Sequence, residues 1–103
     1  MKSVNTKIEL ITALLSAKER IRSFGVKELD LFGSFVKDQN INQESDIDFL
    51  VEFEEGMKSF DNFIELNYFL EDITGRKVEL ITRNALSPFI GPHIIKEMEN
   101  VGI

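Results

Sequence analysis

Apolar residues recur along much of the chain with the period of an α-helix. Two such stretches are followed by Gly25 and Gly75, which are natural C-terminal stops. In a third stretch Gly91-Pro92 conflicts with an unbroken helix, so the helix starts either after Ser87 or at Pro92. The predicted helices therefore cover 4–24, 60–74 and part of 87–100.

Three shorter stretches alternate between apolar and polar residues, as strands do. The clearest is 46–53 (DIDFLVEF), and 26–32 and 77–82 are the other two. The polar stretch 35–45 is predicted to be a loop, with at most one helical turn. The order of elements predicts a two-layer α/β (α+β) fold, with a short mixed β-sheet and helices packed on one face. A length of 103 residues fits a single domain, 1–103.

Composition narrows the kinds of site that the chain can build. It contains no cysteine and one histidine, so any metal is expected to bind oxygen ligands. The net charge of -6 argues against a broad nucleic-acid-binding surface, since neutralisation of phosphates dominates such binding. The first residues lack the apolar run of a signal peptide, and no stretch reaches the ~20 apolar residues of a membrane span. We therefore expect a cytoplasmic protein without a membrane segment.

Two carboxylates begin the clearest strand. Because side chains alternate faces along a strand, Asp46 and Asp48 point the same way, about 6–7 Å apart. Ile47 points the opposite way, into the helix-covered core. The two carboxylates repel each other, and a divalent cation such as Mg²⁺ would offset that repulsion. An isolated D-x-D also occurs often by accident in a solvated strand start.

A Gly-Ser pair follows the first predicted strand. Gly33 allows the backbone to approach a ligand closely, and Ser34 offers a hydroxyl group beside backbone N–H groups that can bind phosphate. Lys37 is near enough in sequence to reach the same phosphate. An ordinary turn and a solvated lysine are the alternatives for these residues.

A third carboxylate lies in the last predicted strand. If Val78 and Leu80 join the core, Glu79 emerges on the same face as Asp46 and Asp48. Carboxylates from two strands would then surround one cavity, as phosphoryl-type transfer with two metal ions requires. Alone, Glu79 could equally be a solvated residue of an edge strand.

Taken together, these segments resemble a known family. LFGSF, then SDIDFLVEF, then a Phe- and Leu-rich helix ending in Gly, then GRKVELIT, resembles the minimal nucleotidyltransferases of the DNA polymerase beta superfamily. The likeness extends from the first predicted helix to the last. It implies that Gly33, Ser34 and Lys37 bind the triphosphate of ATP.

The resemblance also implies a metal site, an activity and a partner. Asp46, Asp48 and Glu79 would bind Mg²⁺, with two ions expected, and Glu79 would activate the acceptor hydroxyl. Members of this size are typically antitoxins that transfer AMP from ATP to a tyrosine of a HEPN-type ribonuclease toxin. A hetero-oligomer with that toxin is therefore expected.

Three departures from the family pattern leave alternatives open. The family usually has Asp where this chain has Glu79, and a carboxylate displaced by an ångström can lose about 10²-fold in rate. Lys37 stands where Arg is favoured, and the spacer before Asp46 is one residue longer. The alternatives are an antitoxin that neutralises its partner by binding alone, or a nucleotidyltransferase for a small-molecule acceptor. Enzymes of the last kind usually carry an additional helical domain.

Overall fold

A computed structural model describes residues 3–103, so Met1 and Lys2 of the predicted domain lie outside the described residues. Four strands form one mixed sheet in the order β3-β2-β1-β4, where β1 and β2 are antiparallel and β2 and β3 are parallel. The strands are β1 (Val26–Phe32), β2 (Ile47–Phe53), β3 (Val78–Thr82) and β4 (Glu99–Asn100). The helices are α1 (Lys7–Ser16), α2 (Lys18–Ser23), α3 (Ser34–Lys37), α4 (Phe60–Thr74) and α5 (Gly91–Glu97), with a 3₁₀ turn at Arg83–Ala85. This architecture confirms the predicted fold class.

One face of the sheet forms the floor of the main core. Ile47, Phe49 and Val51 of β2 point into it, as the alternation predicted, and Val78 and Leu80 of β3 join them. The helices α1, α2 and α4 contribute buried apolar residues from above. Three of these, all with no exposed surface, are Leu14, Ile21 and Leu66.

The prediction of one helix over 4–24 is wrong. Thr6 caps α1 by accepting a hydrogen bond from the backbone N–H of Glu9, and the chain leaves helical geometry at Ala17 before α2 begins. Helical periodicity alone does not show which apolar residues of α1 are buried. Leu10 and Leu14 face the core, whereas Ile8 is 77% exposed.

The C-terminal segment differs from the prediction as well. The helix α5 is short, begins at Gly91 with a proline in its first turn, and ends at Glu97. The backbone then becomes extended and pairs with β1, through Asp30 with Asn100 and Leu31 with Glu99. The sheet therefore has four strands where three were predicted.

The second face of the sheet is more covered than the alternation suggested. Leu50 has no exposed surface, although it shares a face with Asp48. On the same face Arg83, just after β3, donates to Asp30 and Glu28 of β1. Asp30 is only 2% exposed and also accepts a hydrogen bond from Asn100. Among residues 3–103, no helix has the length and hydrophobicity needed to cross a membrane.

Candidate active site

The parallel pairing of β2 and β3 brings two of the predicted carboxylates together. Asp48 is the direct partner of Glu79 in the register, so their side chains leave the sheet on the same face. The neighbours Val78 and Leu80 are buried in the core, which turns Glu79 outward. Asp46 precedes β2 and is exposed, as is Glu79, while Asp48 is partly buried.

The end of β1 lies directly against this carboxylate pair. Phe32 pairs with Asp48 in the antiparallel register, so Gly33 follows at the position next to the Asp48 carboxylate. A Cβ atom at position 33 would overlap Asp48 Oδ2. The backbone of Gly33 also has φ 79° and ψ -153°, a conformation that other residues rarely adopt. Glycine is required here both by conformation and by space.

The surroundings of the Asp48 carboxyl disfavour its ionised form. Burial, the negative charge of Glu79, a hydrogen bond with Glu79 and the negative charge of Asp46 together raise the pKa of Asp48 to about 6. Each of these effects penalises the ionised form of Asp48. A divalent cation bound to these carboxylates would reverse the repulsion between them.

The donor atoms fit a hard cation such as Mg²⁺, because all three side chains offer carboxylate oxygens. Within residues 3–103, however, no three carboxylate or imidazole groups are already gathered around one metal position. A cation here would take one or two of these carboxylates and complete its coordination with water and substrate phosphates, as Mg²⁺ usually does.

A cavity of about 240 Å³ lies beside the Gly-Ser turn. Gly33, Ser34 and Lys37 line it together with Gln39, Asn40 and Glu97. Ser34 begins the four-residue helix α3, and Lys37 ends it. The ammonium group of Lys37 lies 3.9 Å from a carboxylate oxygen of Glu97 in α5, and both side chains are well exposed. The three residues predicted to bind phosphate therefore share one cavity next to the carboxylates.

Sequence reasoning did not place Glu97 at this site. It comes from α5, and only the tertiary fold brings it to the wall of the cavity.

The longer spacer before Asp46 makes its turns without glycine. Asp38 and Asn40 adopt left-handed conformations that commonly need glycine, with φ 52° and 59°, so two polar residues make the turns of this loop.

Comparisons with known proteins show the family to which the chain belongs. A family model described as "Nucleotidyltransferase domain" matches residues 14–101. The protein adenylyltransferase MntA of Thermococcus cleftensis is 38% identical over 93 residues, which cover 88% of this chain and 92% of the relative.

Solved structures show the same arrangement of elements. A minimal nucleotidyltransferase structure superposes with a TM-score of 0.70 at 26% identity, covering 86% of this chain and 93% of that one. A toxin–antitoxin structure with AMP-PNP shares the fold with a TM-score of 0.65 at 18% identity, covering 92% of this chain and 71% of that one. The chain belongs to the nucleotidyltransferase domain family and is a minimal nucleotidyltransferase.

Proposed function

We propose that this protein is an antitoxin that transfers AMP from ATP to a tyrosine of a HEPN-type ribonuclease toxin and thereby inactivates it. The observation that carries the proposal is the meeting of Asp48 and Glu79 across parallel strands, directly beside the backbone of Gly33. The adenylyltransferase relative and the toxin–antitoxin neighbour support the choice of nucleotide and of partner.

Each residue has a role in this proposal. Gly33, Ser34 and Lys37 bind the triphosphate in their shared cavity. Asp46, Asp48 and Glu79 would hold Mg²⁺, with two ions expected, and the bound metal would neutralise charge on the triphosphate and on the departing pyrophosphate. The acceptor hydroxyl oxygen forms a bond to the α-phosphorus, and the bond from that phosphorus to the pyrophosphate oxygen breaks. In this proposal Glu79, a carboxylate exposed to solvent, receives the hydroxyl proton.

A second candidate function is neutralisation of the toxin by binding alone. It is favoured by the absence, within residues 3–103, of three metal-binding groups already gathered in one place. The longer Glu79 side chain, where the family usually has Asp, favours it too. In that case the cytoplasmic complex with the toxin would form without ATP.

Mass spectrometry distinguishes the two functions. The protein is mixed with the product of a neighbouring HEPN-type gene, ATP and Mg²⁺, and the mass of that product is followed with time. An added nucleotide that disappears with Asp48→Asn supports transfer, and tandem fragmentation identifies the modified residue. An unmodified toxin whose ribonuclease activity is nevertheless neutralised would favour binding alone.

A further inference from the structure

A buried arginine joins the separate pieces of the candidate active site. Arg76 lies between the end of α4 and the start of β3 and is only 7% exposed. Among the described residues, no carboxylate lies within ion-pair distance of its guanidinium group. The ion pairs of this part of the chain are formed by Lys7, Lys37 and Arg83 instead. Burying an unpaired charge is costly, so its remaining partners are informative.

Those partners are oxygen atoms of two segments that flank the site. Nη1 donates to the backbone carbonyl oxygens of Asn42 at 2.7 Å and Ser45 at 2.9 Å, in the loop that leads directly to Asp46. Nε donates to the carbonyl oxygen of Val4 at 2.5 Å, and Nη2 donates to the side chain of Asn5 at 3.0 Å. Four of the five guanidinium N–H groups are therefore used.

The same guanidinium group also contacts the helix that follows the Gly-Ser turn. Its central carbon lies 5.2 Å from the ring centroid of Phe35, a fully buried residue immediately after Ser34. This is the geometry of a cation–π interaction. Arg76 is also joined to Glu79 through only two intervening residues of the chain. One side chain thus contacts α3 and the loop before Asp46, and the backbone of the same residue leads into β3.

We infer that Arg76 is a positioning residue of this active site, which holds the Gly33-Ser34 turn and Asp46 in a fixed relation to the strand that carries Glu79. The inference rests on the proposed function for its catalytic meaning. Only the planar guanidinium group of arginine, with five N–H donors on three nitrogens, can bind oxygen atoms on several sides at once. Lysine has three donors on a single nitrogen and cannot replace it. A neutral side chain would leave the carbonyl groups of Asn42 and Ser45 without this donor.

The test compares Arg76→Lys with Lys77→Met, a change at the adjacent, exposed position. In the metal-free proteins we measure hydrogen exchange of backbone amides by mass spectrometry. Arg76→Lys is expected to accelerate exchange at least 10-fold in residues 33–46 and to leave 60–74 unchanged, while Lys77→Met changes neither. Binding of Mn²⁺ alone, followed by calorimetry, is expected to weaken at least 10-fold in Arg76→Lys only.

Two results would overturn the inference. Exchange that rises by the same factor in 33–46 and 60–74 would make Arg76 a general stabiliser, and unchanged exchange in 33–46 would show that it holds nothing there. If Arg76→Lys does not fold, Phe35→Leu keeps an apolar side chain in the core but removes the ring contact, and unchanged exchange in 33–37 would refute the inference that Arg76 holds the Gly33-Ser34 turn. Absence of nucleotide transfer by the unmodified protein would refute the proposed function, whereas the exchange comparison would still decide the role of Arg76.

Discussion

Replacing Asp48 by asparagine should stabilise the metal-free protein at neutral pH. Asp48 has its pKa raised from 3.8 to about 6 by burial and by the neighbouring carboxylates. The folded state therefore binds more protons than the unfolded state between these two values. The free energy of unfolding falls as pH rises through this window and levels off above it.

The size of the effect follows from the raised pKa. One pKa unit corresponds to about 1.4 kcal/mol, so the ionised carboxylate destabilises the fold by at most about 3 kcal/mol. Because Asp48 is partly exposed, solvent screening reduces the expected gain of Asp48→Asn to about 1–2 kcal/mol at pH 8. For a domain of this size, that gain raises the melting temperature by roughly 4–12 °C.

Thermal unfolding in EDTA at pH 4 and pH 8 measures this gain. The stability difference between Asp48→Asn and the unmodified protein should be near zero at pH 4 and complete at pH 8. Glu55→Gln, which removes an exposed carboxylate in the turn after β2, is the control for net charge. Adding Mg²⁺ at pH 8 should stabilise the unmodified protein and leave Asp48→Asn unchanged. An equal difference at both pH values, or a less stable Asp48→Asn at pH 8, would refute the reasoning.

Three further predictions concern neighbouring parts of the site. Gly33→Ala should lower the free energy of unfolding by about 1–3 kcal/mol, because the backbone of Gly33 has a positive φ and a Cβ atom there would overlap Asp48. An unchanged unfolding curve in urea would contradict this. Arg83→Ala leaves the buried Asp30 without its cation and should cost about 2–3 kcal/mol in urea unfolding; adding Asp30→Asn should recover part of the loss, and a further loss would argue against the pairing. Glu79→Gln should slow AMP transfer at least about 10²-fold while AMP-PNP still binds in calorimetry, and full activity would exclude Glu79 as the proton acceptor.

The sequence predicted best those elements whose ends are fixed by local interactions. The helix α4 begins and ends where expected, because Ser59 accepts a hydrogen bond from the N–H of Asn62 and Gly75 adopts a left-handed conformation. These are local interactions, visible in the residue types alone. The same holds for β2, whose alternation decides which side chains face the core.

Other features depend on tertiary contacts that a local pattern does not contain. In α1, Ile8 with Leu15 and Leu10 with Leu14 both make apolar stripes, and only packing in the core, where α1 contacts α4, selects the second pair. The strand β4 has two residues, too few for a period of two to be visible. The sequence does not show that Arg76 is buried and the adjacent Lys77 exposed, because both are basic residues between α4 and β3.

The direct pairing of Phe32 with Asp48 has a consequence for the length of the connection between the two motifs. The contact between Gly33 and Asp48 is set by strand register, so it does not depend on how many residues connect the two motifs. By loop-closure entropy, one more residue in a connection of this length costs less than about 0.1 kcal/mol. Within that connection, Gln39 and Asn40 line the cavity beside Ser34, and Arg76 binds the carbonyl groups of Asn42 and Ser45. The number of residues between the Gly-Ser and Asp-x-Asp motifs can therefore change at little cost while the contact between Gly33 and Asp48 is kept.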